Sequence, residues 1–152
     1  MRSLKDSTIR SAIFSSVGPR QVAHDAEINL DGGAGIEFVK TLYATWAERM
    51  DYSDAWGVIG DDGYGPNFDD RIELRDELTR SAVSGLVWYG HIAQVWTDLR
   101  GWELDDEIEE LMPSTDFYSS MDRMNLALTI FAERFFDRLY ALASEVAQGV
   151  AV

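Results

Sequence analysis

Cysteine is absent from the 152 residues, which removes disulfides, thiolate zinc sites, iron–sulfur clusters and cysteine nucleophiles together. Histidine is nearly so, with only His24 and His91. Basic residues are scarce: 13 Lys and Arg stand against 27 Asp and Glu, for a formal net charge of −14. Phosphate binding rests on clustered Lys and Arg, so this balance argues against nucleic acid or an anionic membrane as a direct partner. No apolar run reaches bilayer length. The charge-free stretch Ser81 to Thr97 carries Ser84, Gly85, Gly90, His91 and Gln94, and reads as a buried helix rather than a span. The N-terminal stretch is interrupted by Asp6 and Arg10 and has no signal-peptide core, so a cytoplasmic location is expected.

What is present is 46% hydrophobic, enough for one domain with a real core, and shows no repeat, low-complexity tract or linker. Ile9, Ile13 and Val17 at helical spacing predict a helix over 4–17, with Ser3 to Asp6 as a capping-box pattern and Gly18-Pro19 as its stop. Residues 20–30 fit neither period and suggest a short extended segment. Ile36, Val39, Tyr43, Trp46 and Met50 predict an amphipathic helix over 34–50. After a Gly-rich loop at 60–67, Asn67 caps a helix expected from Phe68 toward Leu99, bending at Gly85 or Gly90, with its second half central to the core. A short acidic helix over 103–112 follows, held down by Leu104, Ile108, Leu111 and Met112. Ser119 and Asp122 then form a capping box for a last helix reaching about Ala147. That helix is apolar on a wide face, so it is either covered on two sides or part of a homodimer contact. The expected fold is an all-α, single-domain bundle of four to five helices.

The charge is segregated. Residues 51–77 carry a net −7 and residues 98–122 a net −8, leaving the other hundred nearly balanced. In the second segment Glu103, Asp105, Asp106, Glu107, Glu109 and Glu110 put six carboxylates in eight positions. In the first, Asp61, Asp62, Asp69 and Asp70 lead into the long helix. A straight helix from 68 to 99 would hold the two patches about 40 Å apart, at ~1.5 Å per residue, and a bend would bring them closer. Trp56 and Trp102 lie at the edges of these segments, outside any clear stripe, where aromatics serve as interface anchors.

Three functional readings follow from these residues. Carboxylates repeated along a helix can engage a basic protein surface or imitate a phosphate backbone, as in small acidic inhibitors of nucleases or defence complexes of the phage anti-defence or anti-CRISPR kind. The plain alternative is a solvated face that keeps the protein soluble. The third reading takes Glu73 with Asp76, and Glu107 with Glu110, as facing carboxylate pairs that hold Mg²⁺ in an all-α nucleotide pyrophosphohydrolase. Its E-x-x-[DE] spacing is unspecific in so acidic a chain, and no basic residue follows to bind phosphate. The loop 61–70 lacks EF-hand spacing, His91 reads as a hydrogen-bonded core residue, and His24-Asp25 lacks the further ligands of a metal phosphohydrolase. Gly32-Gly-Ala-Gly could receive an anion at a helix start but has no P-loop Lys. No nucleophile motif and no cofactor signature is present. The reading carried forward is a non-enzymatic acidic binding protein.

Overall fold

A computed structural model describes residues 6–52, 68–86 and 88–147; the expected anchors Trp56, Asp61 and Asp62 and the Ser3 cap lie outside these. Asp69 and Asp70 fall in the first turn of a helix, with side chains outside the described set. The described residues form seven α-helices and no strand: α1 Asp6–Ser16, α2 Pro19–Asp25, α3 Gly33–Tyr52, α4 Phe68–Ser84, α5 Tyr89–Asp98, α6 Asp105–Leu111 and α7 Ser120–Ala147, with a 3₁₀ turn at Gly101–Leu104 before α6. The all-α class expected from periodicity is the class observed.

The last helix is the centre. α7 packs against all six other helices and the 3₁₀ turn. Its wide apolar face explains this: Leu128, Phe131, Phe135, Phe136, Leu139 and Tyr140 are all buried. Adjacent Phe135 and Phe136 point to different neighbours yet meet edge to face, with ring centroids 6.2 Å apart. The width that raised a dimer contact is therefore consumed within the chain. Its start is fixed by the predicted box: the Ser119 amide donates to Asp122 Oδ2 at 3.0 Å, and the Asp122 amide donates to Ser119 Oγ at 3.1 Å.

Three expectations need correction. The helix from Phe68 does not reach Leu99 but stops at Ser84 and restarts at Tyr89, with Trp88 in extended backbone as the new N-cap. Ser84, Gly85 and the exposed Trp88 sit where a central helix would need buried, well-formed turns, so the core role passes to α7. Residues 20–30 are not mainly extended. Pro19 occupies the first turn of α2, where its missing amide costs nothing, so Gly18-Pro19 starts a helix as well as ending one. α2 then closes in a Schellman arrangement, with Glu27 at φ 60° and the Ile28 amide donating to Ala23 O at 2.9 Å; residues 26–32 run without helix, the first two of them as the closing turn. Finally, α3 turns Phe38, Val39, Leu42 and Trp46 inward, a face rotated from the expected one, because α1, α2, α4, α5 and α7 all press on it.

The glycines before α3 have a specific role. The Asp98 carboxylate, at the end of α5, accepts the Gly35 amide at 3.0 Å, and a Cβ on Gly32 would lie 2.6 Å from it. The anion expected at this helix start is thus the chain's own side chain, capping an orphan amide across 63 positions of sequence. Alongside, the Asp31 amide donates to Asp98 O at 2.9 Å, and Arg100 Nε donates to Asp31 Oδ2 at 2.6 Å. These contacts clamp the connection into α6.

Candidate functional site

α6 is two turns long, and at 100° per residue its positions divide cleanly. Leu104 and Ile108 point into the core and are buried. Leu111, expected to help hold the helix down, is 61% exposed, because the chain turns away at Met112. Two carboxylates are held on the flanks by arginines of α7. Glu107 meets Arg134 at 3.4 Å, and Glu109 meets Arg123 at 3.0 Å. Glu109 also accepts the Ser114 amide and hydroxyl, each at 2.9 Å; these bonds, the amide first, hold its pKa below the usual carboxylate value. Glu103 is engaged in turn by Arg100 at 3.5 Å and by Asn29 at 3.2 Å.

The side chains of Asp105, Asp106 and Glu110 have no hydrogen bond or ion pair among the described residues. Asp106 and Glu110, four positions apart, project outward, opposite the buried face. Asp105 instead borders a cleft of about 300 Å³ between α5, α6 and the start of α7, walled by Tyr89 and Trp96 and floored by Ile108 and Met124. Ser120 and Arg123 complete its rim. Trp102 packs edge-on against Trp96, with ring centroids 5.8 Å apart, and is 45% exposed. Phe117 and Tyr118, in the loop entering α7, are also exposed, Phe117 fully.

The predicted α6 residues and Trp102 therefore share one surface. The sequence reading missed the aromatic part: Tyr89 and Trp96 fit a helical stripe and read as core, while Phe117 and Tyr118 belong to no stripe. An aromatic pair between Pro113 and Ser119, in a loop with no periodicity, was the available signal. The second acidic segment does not join this surface through contact, since α4 and α6 share none among the described residues. Glu73 and Asp76 thus do not face Glu107 and Glu110. No group of three His, Asp or Glu among the described residues could hold a metal ion. Asp76 instead belongs to a cluster around the half-buried Arg75, which also meets Asp137 at 3.3 Å and Glu133 at 3.8 Å on α7. Burial raises the Glu133 pKa even against the opposing pull of Arg75.

His91 is half-exposed rather than core; its ring centroid lies 5.9 Å from that of Trp88, beside a smaller cavity of about 170 Å³. His24 is solvent-exposed next to Asp25, 3.6 Å away. No described helix is long and apolar enough to cross a membrane. The fold and this face define an all-α protein with an acidic helix set beside an aromatic cleft. Scans against protein-family models, curated proteins and solved structures each return no match to the chain.

Proposed function

We propose that this chain is a small acidic binding protein whose α6 face engages a positively charged surface of a protein partner. The observation that carries the reading is the pairing of outward, unpartnered Asp106 and Glu110 with the half-exposed Trp102, one turn before Asp106. Charged rims around aromatic anchors are the anatomy of protein interfaces: the aromatics supply affinity, and the charges steer encounter and reject wrong partners. A merely solvated acidic helix has no need of aromatic neighbours held open to water.

The partner surface is of the kind that binds nucleic acid, and the chain inhibits by occupying it. α6 carries five carboxylates over about 10 Å of helix, where duplex DNA presents about six phosphates; Glu107 and Glu109 are answered by arginines, so Asp105, Asp106 and Glu110 carry the likeness. The test is affinity capture from the native host with wild-type protein and with a variant combining Asp106→Lys and Glu110→Lys. These positions are chosen because Glu103 and Glu107 are tied to arginines, so reversing them would also disturb the fold. The captured partner should be basic, should be lost in the variant at unchanged helical circular dichroism, and should release its nucleic acid when the chain binds. Retention by the variant at physiological salt would leave α6 as a solvated face.

A further inference from the structure

We infer that the cleft beside α6 receives an arginine side chain of the basic partner; this rests on the function proposed above and names the chemistry of its central contact. The cleft, at about 300 Å³, lies at the small end of ligand sites and suits one side chain better than a cofactor. Tyr89 and Trp96 offer ring surfaces to a cation, and the Asp105 carboxylate at the rim has no partner within the described chain. A guanidinium satisfies both at once, stacking on an aromatic face while its N–H fork meets the carboxylate, and its methylene stem covers Ile108 and Met124. Lysine, a compact and strongly hydrated point charge, cannot do both in a slot of this shape.

Arg123 at the border does not forestall this. Its guanidinium donates to Met112 O and to Glu109, so its charge is already answered within the chain. The wall is also rigid: Trp96 is backed by Trp102, and its indole occupies the space a Cβ on Gly101 would need. A pre-set wall saves the ordering cost that a flexible one would impose on binding.

The experiment titrates the full chain with acetyl-hexa-arginine amide and, separately, acetyl-hexa-lysine amide at about 0.15 M salt, reading heat by calorimetry and indole N–H shifts by NMR. The arginine peptide should bind tighter and should move the Trp96 indole signal, while that of buried Trp46 stays in place. Tyr89→Ala and Asp105→Asn should each weaken it by about five- to tenfold, and Tyr89→Ala should change lysine-peptide binding by less than about twofold. Equal affinity for the two peptides, or an unmoved Trp96 signal, overturns the cleft assignment without needing any variant. If Tyr89→Ala and Asp105→Asn have no effect while the Asp106→Lys, Glu110→Lys variant loses binding, the cleft is wrong and the acidic face stands. If none of the four changes matters, both fall.

Discussion

Gly101→Ala is the sharpest perturbation of this structure. A methyl group at Gly101 would sit 2.1 Å from Cδ1 and Nε1 of the Trp96 indole. Carbon atoms in contact prefer about 3.5–4.0 Å, so the ring would have to retreat by about 1.5 Å. It cannot do so freely, because Trp102 lies against it and the buried Val95 and Leu99 fix the helix that carries it. Overpacking of this kind costs about 1–3 kcal/mol, which for a chain of this size lowers the melting temperature by about 3–10 °C. The assay is thermal unfolding followed by far-UV circular dichroism, with near-UV dichroism reporting the Trp96–Trp102 pair. Gly33→Ala is the internal control: nothing lies within 4 Å of its added methyl, in the first turn of α3, and it should be neutral or stabilise by up to about 1 kcal/mol. A Gly101→Ala protein that melts no lower than wild type, with an unchanged near-UV spectrum, would refute the placement of Trp96 and the rigid cleft wall with it.

Other outcomes follow from the same contacts. Asp98→Ala should cost about 1–2 kcal/mol in urea unfolding by uncapping α3, and Asp98→Asn, which can still accept the Gly35 amide, should cost less. Glu27→Gly should stabilise by about 0.5–1 kcal/mol, since it relieves a left-handed backbone at the end of α2. Arg100→Gly, at φ 55°, should gain nothing, because it surrenders the bonds to Asp31 and Glu103. Tyr43, pushed up to about 12 by burial and donating its hydroxyl to Val17 O, should give a late step in absorbance at 295 nm that disappears in Tyr43→Phe. Because its folded value lies above the ordinary 10.0, its contribution to stability is full below pH 10 and lost as pH rises toward 12; a single early step would contradict its burial.

Much of the architecture was legible in local chemistry. The capping box at Ser119 and Asp122, the apolar period of α7 and the concentration of carboxylates over 103–110 all depend on residues within a turn or two of one another, and short-range geometry decides them. The same locality explains the errors. A hydrophobic stripe says that a face will be covered but not by what, so Tyr89 and Trp96 read as core. Gly-Pro marks a break without saying whether a helix ends there or begins.

The sequence by itself determined an all-α protein with its negative charge in two segments. Only the tertiary structure decided what that charge is worth at each position. Arg123 and Arg134 of α7 and Arg100 before α6 answer three of the six α6-region carboxylates, and Asp105, Asp106 and Glu110 remain for a partner. Those pairings join residues up to 27 positions apart. They exist because the buried Leu104 and Ile108 seat α6 on the core beside α7, and no local pattern in the chain specifies where on α7 that seat falls.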